Sequence, residues 1–126
     1  MGQRSEVYIA VPKKLEKKID RIIINAYSVP YLKSKNSPFK KYDHTQKWIE
    51  HDGNHTVNKE QTYAIYEGYW LKWYENYKDV QEITSLVERY QEDGACIVCV
   101  GECGEVHSEL GDYHEVFNVY TKVELI

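Results

Sequence analysis

The densest set of reactive side chains is Cys96-x2-Cys99-x3-Cys103-x3-His107. Three thiols and an imidazole are the donors of a tetrahedral zinc site. Local structure opposes that use. Ala95-Cys-Ile-Val-Cys-Val100 is apolar at every position, which predicts a strand buried on both faces. Cys96 and Cys99 are three apart on it, so they point to opposite faces, whereas a zinc knuckle needs both on one tight turn. Glu102 and Glu105 flank Cys103 and raise a thiol pKa rather than activating it. The cysteines therefore read as packing residues in a reducing, intracellular compartment, with no metal and no cofactor.

The histidines form a second set. Asp43-His44 precedes Trp48-Ile-Glu-His51-Asp-Gly-Asn54-His55-Thr-Val-Asn58. His51 could activate water while Asp43 or His44 and His55 hold a divalent cation. Over these residues the chain resembles HNH-type endonucleases. It departs from them inside the His-x-Asp-Gly-Asn turn, at the single Asn58, and in lacking a closing His or Asn-Leu pair. The other reading is a polar loop turning at Asp-Gly-Asn.

Charge is divided along the chain. Residues 73–126 hold twelve Asp/Glu against three Lys/Arg, a net of −9, and residues 1–72 net +5, within an overall −4 and a pI near 5.7. Glu75, Asp79 and Glu82 fall at i, i+4, i+7, one face of a helix. Carboxylates so displayed can imitate a row of phosphates and occupy a basic groove on another protein. The N-terminal third carries Lys13, Lys14, Lys17, Lys18 and Arg21, which suit direct contact with phosphate. Solvated faces are the plain alternative for both.

These residues need elements to position them. Residues 6–11 read as a strand. Leu15, Ile19, Ile22, Ile23 and Ala26 predict an amphipathic helix over 13–26. Residues 28–58, with Pro30 and Pro38, read as a long irregular connection. Asn58 with Gln61 resembles a capping box, and Tyr63, Tyr66, Trp70, Trp73 and Tyr77 step by 3, 4, 3, 4. That spacing predicts a helix over 59–77. A second helix over 79–92, capped by Asp79 and stopped by Gly94, carries Val80, Ile83, Leu86, Val87 and Tyr90. Residues 101–111 read as an acidic loop, and 117–125 as one alternating strand. The expected architecture is a single α+β domain, order β-α-loop-α-α-β-β, in which a small antiparallel sheet of about three strands is packed on one side by about three helices. No run approaches the roughly 20 apolar residues of a membrane span, and the polar start lacks an apolar signal region.

Val100-Gly-Glu-Cys-Gly-Glu-Val-His-Ser-Glu-Leu-Gly-Asp112 and the alternating segment after it resemble a hairpin of small bacteriophage accessory proteins. With the acidic, Tyr-rich composition, this is similar to phage-encoded inhibitors of bacterial defence, of the anti-CRISPR and anti-restriction kind. The resemblance implies a non-enzymatic protein, monomer or homodimer, in the host cytoplasm. Its partner would be a host protein or ribonucleoprotein with a basic nucleic-acid-binding groove. Asp79, Glu82, Glu88, Glu92, Asp93, Glu102, Glu105, Glu109 and Asp112 would meet the partner's cations, with Tyr69, Tyr74 and Tyr113 as anchors.

Overall fold

The computed structural model describes residues 5–24, 39–71, 73, 76–101, 106–111, 117–119 and 123–125. Its central element is β1 (Ser5–Pro12), seven of whose eight residues are buried. After a single 3-10 turn the chain forms α1 (Glu16–Ile24). A long hairpin follows, β2 (Phe39–Asp52) with β3 (His55–Leu71), then α2 (Lys78–Arg89), β4 (Cys96–Gly101) and β5 (Val106–Leu110). Strands β1 to β5 form one antiparallel sheet in the order β2-β3-β1-β4-β5. Two short strands, β6 (Phe117–Val119) and β7 (Val123–Leu125), pair with each other.

Apolar residues fill both faces of the sheet. On one face Val7, Ile9 and Val11 of β1 pack with Ala64, Tyr66, Ile97 and Cys99, and the helices close over them with Ile19, Ile23, Ile83 and Val87. On the other, Tyr8, Ala10, Tyr63, Ile65, Cys96, Val98 and Val100 form a second buried cluster. Strands in such a position show continuous apolar runs instead of alternation. Cys96 and Cys99 fall in different clusters, so they do face opposite sides of the sheet. No helix among the described residues is long and apolar enough to cross a membrane.

The fold is mostly β, which corrects the expected α+β arrangement of three strands and three helices. The largest correction is at 59–77. The Tyr63, Tyr66, Trp70 spacing belongs to strand β3, not to a helix. A strand covered on both sides places large side chains at either parity, and here the result coincides with a helical stripe. Tyr63 enters one cluster and Tyr66 the other. Asn58 is accordingly no helix cap; it pairs with Ile49 inside the hairpin. The irregular connection expected at 28–58 is strand from Phe39 onward, and its earlier part lies outside the described residues. The acidic loop expected at 101–111 contains β5, and the single strand expected at 117–125 is the β6–β7 pair. The 79–92 helix is present as α2, followed by a 3-10 turn that ends at Gly94 in the left-handed region, φ +94°. Its N-cap is Tyr77, and Asp79 lies buried in the first turn.

Candidate functional site

β3 outruns the strand beside it. The β1–β3 pairing ends at Pro12↔Tyr63, whereas β2–β3 continues to Asp52↔His55. Residues 45–52 and 55–62 therefore form a two-stranded arm, flanked by no third strand among the described residues. At about 3.4 Å per residue the arm projects about 27 Å. It turns at Gly53, whose φ of +62° suits the first central position of a two-residue hairpin. Cross-strand pairs hold its register. The Thr45 and Thr62 hydroxyls are 2.8 Å apart, and Lys47 stands opposite Glu60.

Three apolar side chains on this arm meet solvent: Trp48, 40% exposed, Ile49, 60%, and Val57, 40%. Trp48 and Ile49, being consecutive, lie on opposite faces of the ribbon. The Trp48 indole N–H donates to Glu50 at 3.1 Å, which orients the ring along the strand. At the base of the arm, Lys14, His44, Lys47, Gln61, Tyr63 and Asp93 line an open groove of about 1100 Å³. The Gln61 side-chain amide donates to the Asp93 carbonyl at 2.7 Å and ties the turn after α2 to β3. His44 Nε2 is buried there and finds no hydrogen-bond partner among the described residues.

The base is anchored by an ionic network. Lys41 bridges Glu16 at 2.6 Å and Asp20 at 2.8 Å, and Lys13 meets Asp43 at 2.7 Å and Glu16. Hydrogen bonds from Lys13 and Lys41 hold the Glu16 carboxyl below its ordinary pKa. The hydrogen bond to Asp43, then the one to Glu16, raises Lys13. Tyr42 donates to Glu67 at 2.8 Å on the opposite face.

Of the residues expected to bind a partner, the described ones do not gather on one face. Asp79 is buried and unavailable. Glu82 and Glu88 are exposed on α2, in the helical layer. Glu92 and Asp93 lie beside the arm, with Asp93 3.6 Å from Lys14. Glu109 pairs with Val98 of the second cluster, so it sits on the sheet face away from the helices. Tyr69, half exposed, packs edge-on against Tyr8 on that same face, with centroids 6.1 Å apart. Tyr74, Glu102, Glu105, Asp112 and Tyr113 lie outside the described residues. The described carboxylates thus divide between two faces, and one is matched by a lysine.

The nuclease set does not converge either. His51 and His55 flank the exposed tip, while Asp43 and His44 lie seven or more residues back along β2, about 24 Å away. No group of three or more His, Cys, Asp or Glu able to hold a metal ion occurs among the described residues. Cys103 and the His107 side chain are outside them.

The arm was missed in the sequence because it is polar on both faces and shows no period of two. The available signal was Gly53-Asn54, a hairpin dipeptide with Thr45/Thr62 and Lys47/Glu60 mirrored about it. No family model matches the chain, and neither a curated protein nor a solved structure matches it.

Proposed function

We propose that the chain is a non-enzymatic binding protein that engages its partner through the β2–β3 arm. The setting is the one implied by the 101–112 resemblance: a phage-encoded inhibitor acting in the host cytoplasm on a bacterial defence complex that handles nucleic acid. The partner is a host protein with an extended segment that adds to the arm as a further strand.

The observation that carries this reading is the ribbon itself, with Trp48, Ile49 and Val57 exposed on it. A hairpin with no third strand is marginal in water, and folded proteins protect such edges. An arm whose outer edges meet no further strand among the described residues, and which carries apolar anchors, gains most when a strand from another chain pairs with it. Acidic mimicry of nucleic acid has less support, because the described carboxylates are split between two faces.

The test begins with capture of the partner from bacterial lysate on tagged protein, followed by its identification and purification. Wild type, Trp48→Glu/Ile49→Glu and Glu88→Lys/Glu92→Lys/Asp93→Lys are then titrated against it. The arm variant is expected to lose about tenfold or more in affinity and in inhibition, and the acidic triple to stay within about threefold. Equal affinity of the arm variant and wild type overturns the reading. So does a self-association that the arm variant abolishes when no other protein binds.

A further inference from the structure

We infer that the outer face of the helical layer docks the phosphate backbone of double-stranded nucleic acid. Lys14, Lys17, Lys18 and Arg21 fall at i, i+3, i+4, i+7, a single ridge on the solvent side of α1 and the turn before it. All four are exposed. The ridge is about 10 Å long at 1.5 Å per residue.

What distinguishes it is the fate of the nearby carboxylates. Glu16, Asp20 and Asp43 are all engaged by Lys13 and Lys41 on the flank that meets β2. Lys17, Lys18 and Arg21 have no ion pair among the described residues, and Lys14 has only the 3.6 Å approach of Asp93. The helix sorts its own charges, pairing one flank and leaving Lys17, Lys18 and Arg21 on the other without an ion pair among the described residues. Next to it, α2 adds exposed Lys78 and Arg89, which line a groove with Ile22, Glu82 and Leu86. Six exposed cations stand against the exposed Glu82, Glu88, Glu92 and Asp93. With Glu16 and Asp20 tied to Lys13 and Lys41, the solvent side of this layer keeps a small positive excess on a protein whose net charge is −4.

The face also states what it does not bind. Among the described residues the exposed large apolar ones are Trp48, Ile49, Val57, Tyr69 and Val106, none of them on a helix. The apolar side of α1 packs on the core with Ile22 half-buried, so the described residues offer no broad apolar face to insert between lipids, as an interfacial helix must. No exposed aromatic ring on this layer among the described residues is placed to stack an unpaired base. Lys14 lies 5.7 Å from the centre of the half-buried Tyr90 ring. Exposed cations with no exposed aromatic ring among the described residues beside them suit a regular phosphate array, read without regard to sequence.

The experiment is fluorescence anisotropy of the full chain with a labelled 20-base-pair duplex, the matching single strand, and phosphatidylserine vesicles, from 20 to 200 mM salt. Three to four phosphate contacts predict a slope of log K against log salt of about −3 and a loss of roughly 50-fold between 50 and 200 mM. Lys17→Glu/Lys18→Glu/Arg21→Glu is expected to lower duplex affinity by about tenfold or more, and Lys47→Glu/Lys59→Glu on the arm to leave it within about twofold. Should the reversal lower the melting temperature, the corresponding Gln triple replaces it and must flatten the salt slope. No duplex binding at 20 mM salt, duplex binding untouched by the triple, tighter binding to single strand than to duplex, or capture by vesicles alone each overturns the inference.

Discussion

The Tyr66 hydroxyl donates to Asp20 Oδ1 at 2.8 Å, and Lys41 holds the other carboxylate oxygen at 2.8 Å. One side chain of α1 is thereby fixed to β3 and β2, the two strands that continue into the arm. Tyr66 also reaches the Glu16 carbonyl at 3.2 Å, so its phenol spans a full turn of the helix. Helix, sheet and arm are oriented together by this junction. Tyr66→Phe is expected to lower stability by about 1–2 kcal/mol, and Asp20→Asn by about 1–3 kcal/mol because it also strips Lys41 of a partner. Urea denaturation of both variants checks this. An Asp20→Asn midpoint equal to wild type would show that the junction contributes nothing.

Alkaline pH acts on the same contacts. The phenols of Tyr8, Tyr42 and Tyr66 are pushed above their ordinary value, first by burial and then by hydrogen bonds to Glu6, Glu67 and Asp20. An unfolded tyrosine releases its proton near pH 10. Above that pH the unfolded chain binds fewer protons than the folded one, so stability falls as pH rises. These three groups leave stability flat below about pH 9. Denaturation midpoints from pH 8 to 11.5 are expected to decline beyond pH 10, and Tyr42→Phe/Tyr66→Phe to make the decline shallower.

Two glycines separate local from global stability. Gly94 sits at φ +94°, and a Cβ built there would lie 2.6 Å from the Tyr63 hydroxyl oxygen. Gly94→Ala combines backbone strain with a clash in the core of the sheet and is expected to cost about 1–3 kcal/mol globally. Gly53, at φ +62°, has nothing within 4 Å of such a Cβ. Gly53→Ala pays only the left-handed penalty of about 1 kcal/mol, and it does so at the tip of the arm. Hydrogen exchange should therefore quicken at the tip in Gly53→Ala while the global melting temperature barely moves. Equal losses in the two variants would mean that the arm folds as one unit with the sheet.

Cys96 and Cys99 have no exposed surface and lie in separate clusters. Neither is expected to react with a bulky thiol reagent until the protein unfolds, because reaction needs an accessible thiolate. Labelling followed by peptide mapping, with and without denaturant, tests each position. Modification of either in native buffer would contradict their place in the core.

The sequence by itself determined the elements whose hydrophobic pattern is one-sided or unbroken. The stripes Leu15-Ile19-Ile22-Ile23 and Val80-Ile83-Leu86-Val87 suffice for the two helices, and continuous apolar runs mark β1 and β4. It also separated Cys96 from Cys99, since a spacing of three on any strand does so. Only the tertiary structure decided that 59–71 is strand, because burial on both faces erases the period of two and lets aromatic spacing pass for a helix. The arm depended on pairing as well: its residues carry no apolar periodicity, and their strand state rests on register with a segment across the Gly53 turn. Pairing decided the charges too. Lys13 and Lys41 became internal ties, Lys17, Lys18 and Arg21 form no ion pair among the described residues, and the described acidic residues were parted between faces by a sheet that the linear charge count does not see.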